Sequence, residues 1–266
     1  MKRTKKRLVV ISDLHCGSVV GLTPPDWQQK FVKNDRTKRN KYSTLQSQCW
    51  QFYYNEIMKL KPIDILFING DAIDGSGERS SGTEQITTDR QAQAEMAAAC
   101  IEIASAPKII MTYGTPYHSG TGEDFENLVK DYVKADKIGS HEWADVNGVI
   151  FDIKHKVGSS SIPHGRYTAI ARENLWSMIW AERDEQPKSD IIIRSHVHHL
   201  GYVGNGDFLG ITTPALQAQG TKFGSRQCSG VVDFGLISFD IDSDGRYEWR
   251  PHLAKIIAQK AHAIKL

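Results

Sequence analysis

Short apolar runs alternate with helix-forming segments along the first three quarters of the chain. The runs are five or six residues long, are rich in Ile, Val and Leu, and predict buried strands at residues 7–12, 64–69, 108–113, 149–154 and 190–194. The segments between them predict helices at about 43–60, 84–105, 121–135 and 167–185. Ser43 and Gln46 resemble a capping box for the first helix, and Thr121 and Asp124 resemble one for the third.

The last quarter of the chain has a different pattern. After about residue 205, the predicted elements are strands at 208–213, 231–240 and 246–252. Residues 17–42 contain glycine, consecutive prolines and many charges, and they predict a long loop insertion. This order of elements predicts an α/β fold, a β-sandwich of two sheets flanked by helices, with a β-rich C-terminal part at about 205–252. The length fits one domain spanning residues 1–266.

Composition and charge narrow the class of protein. Hydrophobic residues make up 40% of the chain and charged residues 24%, which is typical of a folded globular protein. The apolar runs are too short to cross a bilayer, and the basic N-terminus is followed too soon by Asp13 for a signal peptide. Four widely spaced cysteines indicate reduced thiols, and we expect a cytoplasmic protein. The net charge is only +2, so the electrostatic field of the whole protein does not indicate that it binds nucleic acid.

Four of the predicted strands end in residues that commonly bind metals. The first is followed by Asp13 and His15, the second by Gly70 and Asp71, the fourth by His155, and the fifth by His196 and His198. Ligands of α/β sheets bind beyond the carboxyl ends of the strands, so folding can gather these side chains at one edge. A mixture of carboxylate oxygen and imidazole nitrogen suits Mn²⁺, Fe or Zn²⁺ better than Mg²⁺ or Ca²⁺.

The patterns Asp13-x-His15, Gly70-Asp71-x-x-Asp74 and His196-x-His198, in this order and each after a strand, resemble the calcineurin-like metallophosphoesterases over roughly residues 7–200. The resemblance implies the four-layer fold of that family, with a helix layer outside each sheet. It also implies two divalent ions, Mn²⁺ foremost, with Fe, Zn²⁺ or Ni²⁺ as alternatives. By resemblance, Asp13, His15 and His198 hold the first ion, Asp71 bridges both, and His155 and His196 hold the second.

The third motif departs from the family pattern. That motif normally reads Gly-Asn-His-Asp/Glu, whereas this chain has Gly114-Thr115-Pro116-Tyr117-His118. Thr115 stands where the family has the metal-binding Asn, and its hydroxyl would be a weaker ligand. We expect His118 to be the catalytic residue, as a general acid or as a donor to the phosphoryl oxygens. The second ion would therefore be bound less tightly than usual, or would take a water in place of the Asn.

Several neighbouring residues leave alternatives open. Asp74 is expected to order the loop behind Asp71 rather than to bind metal. His164 competes with His155 as a ligand, and we favour His155 because it directly follows a strand. Arg166 is a candidate to bind substrate phosphate. Residues 30–41 carry six basic side chains and one acidic side chain, and they fit equally well a contact with a nucleic-acid backbone or a solvated loop.

These observations predict an enzyme, a metallophosphoesterase that hydrolyses a phosphate ester with a hydroxide activated by two metal ions. A phosphodiester is favoured, with nucleic acid as one candidate partner, because of the basic segment. A phosphomonoesterase acting on protein or a small molecule is an alternative. A protein of a different class is the other alternative, a non-catalytic module with a degenerate metal site that binds phosphate or nucleic acid.

Overall fold

The computed structural model describes residues 5–33, 38–120, 122, 124–160, 162–221, 225, 230–260 and 262–265. Its strands form two sheets. The first sheet contains β1 (Lys6–Ile11), β2 (Ile65–Asn69), β3 (Lys108–Thr112), β4 (Lys137–Gly139), β10 (Phe234–Ile241) and β11 (Tyr247–Ala254). The second contains β5 (Glu142–Val146), β6 (Val149–Ile153), β7 (Ile191–Arg194), β8 (Gly201–Gly204) and β9 (Leu209–Thr212).

Both sheets are mixed, with a parallel centre. The strand order is β11-β10-β1-β2-β3-β4 in the first sheet and β5-β6-β7-β9-β8 in the second. Strands β1 to β4 are parallel, and so are β6, β7 and β9. The carboxyl ends of the parallel strands therefore lie together at one edge of each sheet, which is where the predicted ligands begin.

Five α-helices accompany the strands within the described residues. They are α1 (Lys38–Leu60), α2 (Arg90–Glu102), α3 (Pro116–Ser119), α4 (Glu126–Val133) and α5 (Arg166–Glu182). None of these helices combines the length and the apolar character that crossing a bilayer requires.

The alternation of side chains along the strands builds two cores. In β1, Val9 and Ile11 belong to the core that also contains Tyr53 of α1 and Met96 of α2. The intervening Leu8 and Val10 belong to a second core, shared with Phe151, Ile193 and other residues of the second sheet. Because successive side chains of a strand point to opposite faces, β1 packs against helices on one face and against the other sheet on the other. Helix α5 packs on β8 and β9, which completes four layers. The predicted fold class, a two-sheet sandwich flanked by helices, is confirmed.

Some local predictions are wrong. The capping box at Ser43 does not start a helix, because α1 already begins at Lys38. Gln46 instead uses its side-chain amide to accept from the Gln29 N–H at 2.9 Å and to donate to the Val19 carbonyl at 3.0 Å. The first part of the predicted loop at 17–42 therefore packs into the core, with Val19, Val20 and Leu22 buried, and its last residues belong to α1.

Helix α2 starts later than predicted. The Asp89 carboxylate caps it by accepting from the N–H groups of Gln91 and Ala92. Of the capping box predicted at Thr121 and Asp124, Thr121 lies outside the described residues. Helix α4 begins at Glu126, whose N–H donates to Asp124 Oδ1 at 3.2 Å. Residues 34–37 of the basic segment and Cys228 also lie outside the described residues.

Candidate metal centre

The residues predicted as ligands follow the ends of four parallel strands. Asp13 and His15 follow β1, Asp71 follows β2, His155 follows β6, and His196 and His198 follow β7. The loops after β1 and β2 remain paired, because the Asp13 N–H donates to the Gly70 carbonyl at 3.0 Å and the His15 N–H donates to the Asp71 carbonyl at 2.9 Å. The parallel pairing of β1 and β2 in the first sheet thus continues into the loops that carry Asp13, His15 and Asp71.

Glycine is required at Gly70, immediately before Asp71. Its φ is +74°, in the region that favours glycine, and an added Cβ would lie 2.5 Å from the His155 ring. The absence of a side chain therefore allows the His155 ring to pack directly on the β2 loop. This contact crosses from one sheet to the other.

Within the part of the chain that the structure describes, three overlapping groups of side chains offer ligand atoms that lie within 4.8 Å of one another. Two of the groups together contain all six predicted ligands. The third contains His118 and shares one residue with each of the other two. The groups are Asp13 with His15 and His198, Asp71 with His155 and His196, and His15 with Asp71 and His118. The predicted ligands and His118 are thus within reach of common points, although they are up to 185 positions apart in sequence (from 13 to 198).

Two atoms of this cluster are buried without a hydrogen-bond partner among the described residues, namely Asp13 Oδ1 and His155 Nε2. Asp13 Oδ1 lies 3.1 Å from His198 Nε2, and His155 Nε2 lies 3.1 Å from Asp71 Oδ2, without the alignment of a hydrogen bond. Buried polar atoms without partners are costly in a folded protein. Carboxylate and imidazole atoms that face each other in this way suit a divalent cation of the Mn²⁺, Fe or Zn²⁺ type.

Hydrogen bonds from outside the cluster orient its imidazoles. His15 Nδ1 lies 2.9 Å from Asp74 Oδ1, and His155 Nδ1 lies 2.7 Å from the Asn69 carbonyl. Because each of these acceptors requires a proton on Nδ1, the Nε2 atom of each ring faces the cluster. Asp74 is held in turn by Gln85, whose Nε2 lies 2.7 Å from Asp74 Oδ2. In the structure, Asp74 therefore contacts His15, as an orienting residue would.

The buried carboxylates of Asp13 and Asp71 are stabilised by positive charge beside them. Burial by itself raises the pKa of Asp13, but the imidazoles of His198 and His155 together outweigh burial and lower this pKa to about 2. Burial by itself lowers the pKa of His155, but Asp71, Asp13 and the Asn69 carbonyl together outweigh burial and raise this pKa to about 10. The two buried carboxylates are therefore balanced by protonated imidazole or by a bound cation, and cation binding would displace protons.

The loop after β3 contacts Asp71 through Thr115. The Thr115 N–H donates to Asp71 Oδ1 at 2.7 Å, and the Thr115 hydroxyl lies 3.2 Å from the same oxygen. An added Cβ on Gly114 would lie 2.1 Å from Asp71 Oδ1, so only glycine fits there. Thr115 thus contacts the carboxylate of the predicted bridging residue through two donors.

His118 lies on α3, beside the cluster. Its Nδ1 is 2.8 Å from the Asp74 carbonyl, and its ring centroid is 4.5 Å from that of His15. Burial, followed by the charge of His15, lowers the pKa of His118. The His164 alternative lies elsewhere, in the exposed turn Pro163–Gly165, and belongs to none of the candidate metal groups of the described residues.

Sequence reasoning missed Glu126, the first residue of α4. Its side chain is fully buried, and its two oxygens accept from the N–H groups of Ala72 at 2.8 Å and Gly114 at 2.6 Å. Burial, with a smaller contribution from the Asp71 charge, raises its pKa to about 8. Glu126 therefore joins the loops after β2 and β3, which carry Asp71 and Thr115. An acidic residue in the first turn of a helix is too common to signal this role.

Two cavities open onto the cluster. The first, which we call the His118 cleft, has a volume of about 360 Å³ and is lined by His118, Tyr117, Arg79 and Gln85 together with cluster residues. The second, which we call the Arg166 groove, has a volume of about 460 Å³ and is lined by Arg166, His199, Ser160, Val197 and Val231. His196 and His198 line both cavities. Arg166, predicted to bind substrate, thus lies in the groove rather than in the cleft.

No protein-family model and no curated protein matches the chain. Solved structures with a similar fold include a novel archaeal phosphodiesterase, 13% identical with a TM-score of 0.44, where the match covers 92% of this chain and 99% of that one. Vacuolar protein sorting 29 from Cryptosporidium parvum is 10% identical with a TM-score of 0.46, covering 95% and 99%. The NAD nucleotidase of Haemophilus influenzae is 10% identical with a TM-score of 0.44, covering 94% and 50%.

The two mixed sheets with helices outside them are the architecture that the resemblance to calcineurin-like metallophosphoesterases implies. With identities of 13% or less and TM-scores below 0.5, these likenesses do not bear on the activity of this chain.

Proposed function

We propose that the protein is an enzyme that hydrolyses a phosphate ester with the help of divalent metal ions. The observation that supports this function best is the set of overlapping Asp and His groups around Asp71, with Asp13 Oδ1 and His155 Nε2 buried and without partners among the described residues. Asp13, His15 and His198 would hold one ion and His155 and His196 another, with Asp71 between them. Mn²⁺ is the ion that we favour for this donor set.

The protein side chains have defined tasks in this proposal. When bound, the ions would neutralise phosphate charge and lower the pKa of the water that attacks phosphorus. Asp74 and the Asn69 carbonyl keep the imidazoles of His15 and His155 turned towards the centre. Glu126 and Thr115 hold the loop that carries Asp71, so that its carboxylate stays in place.

His118 and its neighbours would bind the leaving group and protonate its oxygen. With Nδ1 directed to the Asp74 carbonyl, His118 presents Nε2 to the cleft, from which a proton can pass to the departing oxygen. Arg79 lies over the Tyr117 ring, 5.0 Å from its centroid, and both line the same cleft. An arginine in this position suits a phosphate oxygen, and the tyrosine ring suits an apolar leaving group.

Metal titration combined with turnover tests the proposal. We expect calorimetry with Mn²⁺ to give two ions per chain, and bis(p-nitrophenyl) phosphate to be hydrolysed only when Mn²⁺ is present. Asp71→Asn should lower the rate by on the order of 10² to 10³ or more, because the central carboxylate loses its charge. Asp207→Asn, in the turn between β8 and β9, is the matched control and should behave as the unaltered protein.

A non-catalytic phosphate-binding module is the second candidate, and the Thr115 contacts favour it. Thr115 directs both of its donors at Asp71 and offers no amide oxygen of the kind the family motif supplies. A module of this kind would bind inorganic phosphate without turning over any ester, whatever divalent ion is added. That result would overturn the proposed enzyme.

A further inference from the structure

The histidine pair His196 and His198 forms the boundary between the His118 cleft and the Arg166 groove. Both side chains line both cavities, as do Gln217 and Thr221. Each cavity falls within the range of roughly 300–1000 Å³ that is typical of small-molecule sites. A phosphorus atom held at this pair would therefore have a separate space on each of two sides.

The number of spaces bears on the class of ester. A phosphomonoester has one organic arm and would fill one cavity, whereas a phosphodiester has two arms. Because the two cavities share only their boundary residues, one arm can enter each cavity without crowding the other. The two-sided site therefore matches a diester.

The Arg166 groove has the chemistry of a nucleoside site. Val197 and Val231 supply apolar surface, and Val231 is 62% exposed to solvent in the groove. Arg166 and Ser160 supply a cation and a hydroxyl in the same groove. A nucleoside offers a flat apolar base and sugar hydroxyls, and arginine stacks on bases as well as pairing with phosphate.

The position of His118 distinguishes the two arms. His118 lines the cleft and is not among the described residues that line the groove. A proton from His118 would reach an oxygen that leaves on the cleft side. The arm in the groove would therefore stay on phosphorus.

Given the proposed function, we infer that the substrate is a phosphodiester whose leaving arm occupies the His118 cleft and whose retained arm, a nucleoside, occupies the Arg166 groove. The oxygen of water forms the new bond to phosphorus, and the bond to the cleft-side oxygen breaks. That oxygen keeps the electron pair and takes a proton. The products are an alcohol and a nucleoside monophosphate.

Three substrates with one leaving group test the inference. They are p-nitrophenyl phosphate, methyl p-nitrophenyl phosphate and the p-nitrophenyl ester of thymidine 5′-monophosphate. The two diesters differ only in the retained arm, so the ratio of their kcat/KM values measures what the groove contributes. We expect the thymidine diester to exceed the methyl diester by about tenfold or more, which corresponds to about 1.4 kcal/mol.

Two arginine variants locate the effect. Arg166→Ala should lower kcat/KM much more for the thymidine diester than for the methyl diester, so that most of the preference is lost. Arg183→Ala, at the other end of α5 on an exposed side chain, is the matched control and should keep the preference. A binding measurement without turnover complements the kinetics. Thymidine 5′-monophosphate should bind more tightly than methyl phosphate in calorimetry, and Arg166→Ala should abolish the difference.

The outcomes separate this inference from the proposed function. Turnover that depends on Asp71, combined with equal kcat/KM for both diesters, would overturn the nucleoside arm alone. A preference for the monoester would overturn the diester itself, and an equal loss on both diesters in Arg166→Ala would overturn the nucleoside arm. An absence of turnover with all three substrates would contradict the proposed function and the inference that rests on it.

Discussion

Left-handed backbone is concentrated at the candidate ligands. Asp13, His15, Asp71, His196 and His198 all have φ between +46° and +72°, a region that residues other than glycine rarely adopt. Conformations of this kind cost of order 1–3 kcal/mol each, and they persist where the surroundings hold them and where function benefits. Asparagine tolerates this region as aspartate does. Asp→Asn variants therefore change the charge at the site without adding backbone strain.

The role of His118 can be tested through the leaving group. We expect His118→Asn to lower kcat by about 10² or more for a dinucleotide, whose leaving alkoxide needs a proton. The loss should be much smaller for bis(p-nitrophenyl) phosphate, whose leaving group departs as a stable anion. Rates with both substrates and the Mn²⁺ content of the variant are the measurements. Tyr117→Phe, at the neighbouring position, is the control and should affect both substrates alike.

An equal loss on both substrates, together with a lower Mn²⁺ content, would contradict the role of His118 as an acid. His118 would then act as a metal ligand, which its grouping with His15 and Asp71 allows sterically.

The sequence predicts individual ligands well where they follow a strand. Asp13, Asp71 and His155 each lie one or two residues beyond the end of a strand. Their positions in the fold therefore follow from the positions of the strand ends. Glu126 could not be predicted, because its partners are backbone N–H groups that only the tertiary fold brings near it. Likewise, the sequence shows the replacement of Asn by Thr115 but not that Thr115 bonds to Asp71.

At the scale of elements, α4 stabilises the loops after β2 and β3 through Glu126. We expect Glu126→Gln to reduce the free energy of unfolding by about 1–3 kcal/mol, because an NH₂ group would face one of the two backbone donors. Urea unfolding measures the change. Glu102→Gln, at the exposed end of α2, is the control. Equal stabilities of the two variants would show that the Glu126 contacts are not needed to hold the loops.

The outer face of the second sheet carries a buried ion pair between β6 and β7. Asp152 and Arg194 are each 1% exposed, and the carboxylate also lies 2.7 Å from His141 Nε2. Asp152→Ala would remove one of the two carboxylate partners of Arg194, which keeps Glu173 Oε2 at 2.8 Å from its Nε. We therefore expect a loss of about 1–3 kcal/mol in the free energy of unfolding. Asp207→Ala is the control on an exposed turn.

The effect of Asp152 should depend on pH. Burial raises the pKa of Asp152, but His141 and Arg194 outweigh burial, so the pKa is lowered from 3.8. A carboxylate with a lowered pKa stabilises the folded state above its unfolded value and loses this contribution as the pH falls through the folded value. The difference between the unaltered protein and Asp152→Ala should therefore be full at pH 6 and should shrink below about pH 3.8. A difference that persists unchanged in acid would contradict this account.

Elements were predicted best where they are long and apolar. β1, β2, β3, β6 and β7 lie within one or two residues of their predicted bounds, because they are buried on both faces and read as continuous apolar runs. The sequence does not predict β4, β5 or β8. Strands β4 and β8 have only three and four residues, and β5 is not a continuous apolar run. The start of α1 was misplaced because Gln46 bonds across to residues 19 and 29 rather than within a capping box.

At the scale of the whole molecule, metal binding should stabilise the fold, because the candidate ligands come from both sheets. Mn²⁺ at about 100 times its dissociation constant would add about 2.7 kcal/mol per site, which raises Tm by roughly 5–10 °C for a chain of this size. Differential scanning fluorimetry measures this shift. Asp71→Asn should show a much smaller shift, and Ca²⁺ should give little shift because it prefers all-oxygen ligands.

Equal shifts with Mn²⁺ and Ca²⁺, or an undiminished shift in Asp71→Asn, would indicate that the ions act elsewhere on the molecule.

The order of elements was enough to predict the sandwich as a class. The pairing of β10 beside β1 and the arrangement β7-β9-β8 could not be predicted, because they depend on contacts between residues far apart in the chain.

The central claim is that Asp13, His15, Asp71, His155, His196 and His198 together hold divalent ions. The most direct test is an anomalous-scattering map from crystals grown with Mn²⁺. We expect two peaks enclosed by these six side chains, with His118 beside them and Thr115 still bonded to Asp71. A map with no peak among them, at a Mn²⁺ concentration that supports turnover or saturates binding in solution, would contradict the account.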